Sequence, residues 1–139
     1  MVDKIQEEII EEFSMFDDWL DRYDYLISLS ESLPAIAPEH KTDEYIIEGC
    51  QSRVWVDARM ENGKIYYSAD SDAIIIKGLL ALLIRAMGDR TPQEVVDTEL
   101  YFIDAIGLKE NLSPTRGNGL VATIRRMRLY ALAFTKQNN

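Results

Sequence analysis

Among side chains able to do chemistry, the sequence offers a single thiol, Cys50, and a single imidazole, His40. Cys50 lies in Gly49-Cys50-Gln51-Ser52, a small polar break between Tyr45-Ile46-Ile47 and the alternating stretch that begins at Arg53. Free cysteines are among the most buried residues and are commonly inert. This one, however, stands beside a glycine and two small polar residues, not within an apolar run. A thiol at such a loop-to-strand junction can be lifted to the surface by a loop movement. Gly49 lets the backbone approach another molecule closely or adopt angles closed to other residues.

The familiar cysteine chemistries can be tested against this inventory. A C-x-x-C redox pair is absent. A structural zinc site takes about four Cys or His ligands, and the chain has one of each. A cysteine hydrolase needs a thiol paired with a base. His40 lies upstream in a loop, so a Cys50–His40 pair is sterically open, although no motif supports it and His40 reads as a solvated loop residue. A scaffold on which clusters are built needs several metal ligands, which the sequence does not supply. What fits best is a lone thiol exchanging sulfur with another protein's cysteine. A thiol-dependent hydrolase using Cys50 with His40, and a non-catalytic interaction module with Cys50 inert, stay open as alternatives.

The whole chain fits around that thiol as one domain, residues 1–139. Its 139 residues, 47% of them hydrophobic, suffice for one core. The net charge of −9 argues against nucleic acid, whose phosphates need a basic surface, and against an anionic membrane surface. Acid concentrates in Glu7, Glu8, Glu11, Glu12, Asp17, Asp18, Asp21 and Asp24. This is a solvated helix face or a docking face for a basic partner. Arg116, Arg125, Arg126 and Arg128 reverse the sign near the end, three of them on the last helix. A lone cysteine forms no internal disulfide, charges interrupt every short apolar run near the start, and no run reaches membrane-spanning length. The expectation is a soluble, cytoplasmic protein in a reducing compartment.

The elements that must position Cys50 follow from periodicity. Ile5, Ile9, Ile10 and Phe13 recur at helical spacing. A second helix is expected over about 17–32 with Trp19, Leu20, Tyr23, Leu26 and Ile27 as its stripe, ending at Leu33-Pro34. Residues 34–44 read as a loop and Tyr45-Ile46-Ile47 as a short edge strand. Strands over 53–60 and 64–70 meet at Glu61-Asn62-Gly63, a tight turn. Ser71-Asp72 is expected to cap a helix over 73–87, apolar nearly all round and therefore buried, with Gly88 as its C-terminal stop. Thr91-Pro92-Gln93-Glu94 is a capping box. A helix over 100–106 closes at Gly107. Ser113-Pro114 opens the last helix, to about Phe134, with Val121, Ile124, Met127, Leu129 and Tyr130 as its apolar face. This order predicts an α+β domain: a small antiparallel sheet of 2–3 strands against several helices.

Four segments, in this order, resemble the SufE family. Gly49-Cys50-Gln51-Ser52-Arg53-Val54-Trp55 is similar to its G-C-Q-S-x-V-W signature. Ala69-Asp70-Ser71-Asp72-Ala73 with Lys77-Gly78-Leu79 resembles its D-S-D-A…K/R-G-L segment. Thr91-Pro92 with Glu94-Val95 resembles T-P-x-E/D-I/V. Leu112-Ser113-Pro114-Thr115-Arg116 with Asn118-Gly119-Leu120 resembles L-S/T-P-S-R-x-x-G-L. The departures are Thr115, commonly serine in the family, and Gly117, expected to loosen the start of the last helix.

The resemblance implies a SufE/IscU-like fold and a sulfur-acceptor role. Cys50 would take persulfide sulfur from a pyridoxal-phosphate-dependent cysteine desulfurase (SufS-like or CsdA-like), stimulate that enzyme, and relay sulfur to a SufBCD-like cluster scaffold. A CsdE-like delivery route is the alternative within the same chemistry. The pyridoxal phosphate belongs to the partner, so no cofactor is expected on this chain. Arg116, at the family's P-x-R position, is the candidate thiolate stabiliser, or else pairs with an acid near the helix start. Gly49, Gln51, Ser52 and Asp72 are candidates for shaping and gating the thiol loop, with Asp72 also read as a helix cap.

Overall fold

The computed structural model describes residues 3–47, 53–112 and 114–137. Two helices lead, α1 (Lys4–Ser14) and α2 (Trp19–Leu29). Each is opened by an aspartate that accepts a free amide: Asp3 from Gln6 N–H and Asp18 from Leu20 N–H. A 3-10 turn at Ser30–Ser32 finishes α2 before Pro34. Buried Ile9 and Phe13 of α1 and Leu26 of α2 enter the core. Gln6, also fully buried, is satisfied at both ends, donating to the Glu99 carbonyl (2.9 Å) and accepting from Phe102 N–H (3.1 Å).

The sheet is an antiparallel hairpin of β1 (Val54–Glu61) and β2 (Lys64–Ser71). Glu61 pairs with Lys64, which leaves Asn62-Gly63 as a two-residue turn with φ of 54° and 79°. Val54, Val56, Ile65, Tyr67 and Ala69 are buried, and Trp55, Arg59 and Tyr66 alternate to the other face. Short stretches cover both edges. Ile47 N–H bonds the Val54 carbonyl and Val56 N–H the Tyr45 carbonyl, so Tyr45-Ile46-Ile47 lies along β1 through one antiparallel bridge, Ile46–Trp55. Ala69 bonds Pro34 and Ile36 on the other side.

Helix α3 (Ile74–Met87) packs on the hairpin, with Gly78 through Leu83, Ala86 and Met87 buried. Its Gly78 lies against the backbone of α2. Three short helices follow: α4 (Pro92–Asp97), with the full Thr91–Glu94 capping box, α5 (Phe102–Ala105) and α6 (Leu108–Asn111). The long α7 (Pro114–Gln137) packs against α4 and β1. The architecture is α+β: a two-stranded antiparallel sheet with several helices.

Several expectations change in three dimensions. Asp72 does not cap α3; Ala73 holds the N-cap position without a side-chain bond, and the nearby hydroxyl acceptor is Ser71, bonded by Ala73 N–H. The first turn of α3 is not buried, since Ile74 is exposed. Gly88 is extended, and the left-handed residue is Asp89 with φ 56°. A side chain at Gly88 would instead meet the Ile84 carbonyl at 2.8 Å, so close approach is the constraint. Leu20 points outward from α2, as do Val121 and Leu129 from α7, whose buried stripe is Leu120, Thr123, Met127 and Ala131. All four late arginines fall within α7, which runs through Gly117 unbroken. Helix α6 has no counterpart among the expected elements.

The acidic face of α1 is only partly solvated. Glu12 binds Arg85 of α3 through two hydrogen bonds, at 2.8 and 2.5 Å, and accepts from the Tyr25 hydroxyl. The Arg85 bonds hold the Glu12 carboxyl below its ordinary value, while burial and Glu12 push Tyr25 up to about 12. A carboxyl lowered on folding contributes stability above its unfolded pKa and loses that contribution as pH falls through the folded one. Stability is therefore expected to decline as pH drops below 4.5, the ordinary value for Glu12. In urea titrations, Glu12→Gln should be about 1 kcal/mol less stable than wild type at neutral pH. That gap should close in acid; a gap independent of pH would refute the linkage.

Candidate functional site

Gly49, Cys50, Gln51 and Ser52 lie outside the described residues, as does the side chain of Arg116, which occupies the first turn of α7. The chain on either side of the cysteine segment is described, and three elements hold it. On the exit side, Arg53 N–H donates to Asp72 Oδ1 at 3.1 Å, and Asp72 N–H donates back to the Arg53 carbonyl at 3.3 Å. The aspartate expected to cap α3 is thus spent on the first described residue after Cys50.

On the entry side, an Arg126 Nη of α7 donates to the Ile46 carbonyl at 3.0 Å. Tyr45 stacks on the His40 ring, with centroids 4.8 Å apart. His40 Nδ1 is 2.6 Å from Asp57 Oδ2, and Asp57 Oδ1 accepts from Ala58 N–H at 2.8 Å. His40 is therefore not a freely solvated loop residue: its ring is fixed by an aspartate on β1 and a tyrosine at the mouth of the segment. One ring nitrogen is engaged, which leaves Nε2 to face any other group.

The outer face beside these stems carries an ion cluster. Lys41 Nζ is 2.8 Å from Asp70 Oδ2 and 5.0 Å above the Trp55 ring, and Lys77 Nζ is 3.4 Å from Asp70 Oδ1. Burial works against ionising Asp70, but Lys41, the Ser71 amide and Lys77 outweigh it and lower its pKa. From beneath, Tyr130 of α7 donates to the Val56 carbonyl and Tyr67 to the Met127 carbonyl, both at 2.7 Å. Burial raises the pKa of both phenols, so both stay neutral donors. The sheet, Asp72 in the link between β2 and α3, and α7 together fix where the chain enters and leaves residues 48–52.

Sequence reasoning reached Asp72 as a restraint on the segment, read His40 only as a solvated loop residue or a base, and did not reach Arg126, Asp57 or Tyr45. Arg126 is one of several arginines on α7, and only its contact distinguishes it. Among the described residues no three His, Cys, Asp or Glu side chains converge to hold a metal ion, and no helix is long and apolar enough to cross a membrane.

The chain matches the SufE family, described as an Fe–S metabolism associated domain, over residues 7–131. It is 38% identical over 126 residues to an uncharacterized SufE-like protein of Synechocystis sp., covering 91% of this chain and 79% of the relative. It is 38% identical over 127 residues to another from Rhizobium etli, covering 88% and 86%. The solution structure of a hypothetical protein from Thermus thermophilus shares the fold, with a TM-score of 0.78, 24% identity and coverage of 96% and 97%. The residues matched run from α1 to α7 and include the motif that holds the lone cysteine, so the chain belongs to the SufE family of the Fe–S metabolism associated domain.

Proposed function

We propose that this chain is a sulfur acceptor in Fe–S cluster assembly. The carrying observation is that its only thiol, Cys50, stands within the SufE signature of a chain belonging to that family. In the proposed step, Cys50 thiolate attacks the outer sulfur of a persulfide on a pyridoxal-phosphate-dependent cysteine desulfurase. A new S–S bond forms on Cys50, the partner's S–S bond breaks, and the partner leaves as a thiolate. The exchange is redox-neutral and needs no cofactor on this chain. Unloading the desulfurase stimulates it, and the Cys50 persulfide then passes sulfur to a cluster scaffold, in the reducing cytoplasm where such thiols persist. A guanidinium close to the sulfur, with Arg116 as candidate, would favour the thiolate. The test is transfer from radiosulfur-labelled cysteine: reductant-labile label on the wild-type chain supports the reading, and label equally retained by Cys50→Ser rejects it.

Asp72 supports the reading by pinning the exit stem. Losing one such hydrogen bond is worth about 1 kcal/mol, or roughly fivefold in the population of released stem. Asp72→Ala is accordingly expected to speed alkylation of free Cys50 several-fold. An unchanged rate would leave Asp72 a stitch in the strand and nothing more.

The His40–Asp57 pair favours one second reading, a thiol-dependent hydrolase. A carboxylate on one ring nitrogen is how a catalytic base is oriented. Replacing His40 with glutamine would abolish such hydrolysis and leave sulfur uptake unchanged.

A further inference from the structure

The short edge strand Tyr45-Ile46-Ile47 leads directly into residues 48–52, and the ladder that joins it to β1 is incomplete. Ile46 faces Trp55 across the antiparallel bridge, and the flanking backbone bonds, at 2.8 and 3.0 Å, are made by Ile47 and Tyr45. In that register the Ile46 carbonyl points away from β1, off the edge of the sheet. Tyr45 N–H turns back to the Thr42 carbonyl at 3.1 Å. The Val56 carbonyl of β1 therefore loses the donor that a continued ladder would give it.

Helix α7 supplies a donor to both carbonyls. Arg126 donates to Ile46 at 3.0 Å, and Tyr130 donates to Val56 at 2.7 Å. Positions four apart share one helix face, so a single turn of α7 grips the edge strand and β1 side by side. The two grips differ in consequence. Strand β1 is paired along its whole length with β2 and keeps its place without Tyr130. The edge strand has no such second neighbour among the described residues. It relies on its two backbone bonds to β1, on the stack of Tyr45 against His40, and on Arg126. The Arg126 bond has an ionised donor, and such bonds are roughly twice as strong as neutral ones.

We propose that Arg126 is a positioning residue for sulfur uptake: through the Ile46 carbonyl it sets where the edge strand hands the chain on to Cys50. This rests on the sulfur-acceptor reading and assigns a residue to it. Arg126 acts through the strand and is not itself a catalytic residue. Displacement on a persulfide held by a second protein needs the attacking and outer sulfurs aligned at about 3–3.5 Å. A loosened strand therefore lowers the rate at saturation and leaves affinity alone. A small alkylating reagent approaches from any side and needs no such alignment.

The test titrates the full chain into a cysteine desulfurase with free cysteine. Arg126→Met removes the donor and keeps most of the side-chain length. Its maximal stimulated turnover is expected to fall about tenfold, the worth of one charge-assisted hydrogen bond. The concentration giving half-stimulation should stay within about twofold of wild type on this reasoning, and alkylation of free Cys50 by iodoacetamide should be no slower. Arg126→Lys restores an ionised donor and should recover most of the turnover. Tyr130→Phe removes the neighbouring bond from the same helix face and should leave turnover near wild type, with a thermal melt like that of Arg126→Met. Wild-type turnover in Arg126→Met, an equal loss in Tyr130→Phe, no recovery in Arg126→Lys, or a loss confined to the half-stimulation concentration would overturn the positioning role alone. A wild type that gives no stimulation would overturn the acceptor reading and this role with it.

Discussion

Gly78→Ala is expected to destabilise the protein by about 3 kcal/mol or more and to lower its melting temperature by roughly 10 °C. Helix propensity alone predicts the opposite sign, because alanine in a helix interior is about 1 kcal/mol better than glycine. Packing decides the outcome. A Cβ at Gly78 would lie 2.1 Å from the Leu26 carbonyl oxygen and 2.7 Å from its carbon. These are backbone atoms of α2 and cannot swing aside, so α2 and α3 must separate across a region that buries Leu26, Leu79 and Leu82. Gly117→Ala supplies the control, since nothing lies within 4 Å of its added Cβ. That variant should gain a few tenths to about 1 kcal/mol. Thermal melts of the two variants should move in opposite directions; a Gly78→Ala melt at or above wild type would show the helices to be farther apart than described.

Cys50→Ser is expected to remove all stimulation of a cysteine desulfurase, returning turnover to the enzyme's own rate. The serine hydroxyl does not ionise near neutral pH and cannot form the S–S bond that holds the transferred sulfur. Even the thiol is only a few per cent ionised near neutral pH at an ordinary pKa of about 8.5, so wild-type stimulation should rise with pH across the neutral range. His40→Gln should stay within about twofold of wild type, because direct displacement by thiolate needs no separate base. Full stimulation by Cys50→Ser would make the chain an interaction module with an inert cysteine. Loss of activity in His40→Gln with a normal fold would favour the hydrolase reading.

Local chemistry wrote much of the fold plainly. Asn62-Gly63 between alternating stretches specifies a two-residue turn, and Thr91-Pro92-Gln93-Glu94 contains both halves of its capping box. What could not be read were choices made between elements. Helix α7 has apolar residues on two faces, so periodicity could not tell Leu120 and Ala131, which are buried, from Val121 and Leu129, which are exposed. Asp72 precedes a helix, where an aspartate ordinarily caps, yet its carboxylate bonds Arg53, a neighbour only once β1 and β2 pair. Gly78 sits mid-helix, where glycine looks unfavourable until the α2 backbone is placed against it. His40 looked solvated because Asp57 and Tyr45 meet it only when the segment lies beside β1. The cysteine segment was legible for a different reason: its residue types and order match a family motif, a signal independent of contacts.

Intact mass spectrometry of the chain after incubation with a cysteine desulfurase and free cysteine tests the central claim most directly. The account predicts a gain of one sulfur atom on wild type, removed by reductant and absent from Cys50→Ser. An unchanged mass with a desulfurase proven active, or the same gain on Cys50→Ser, would contradict it.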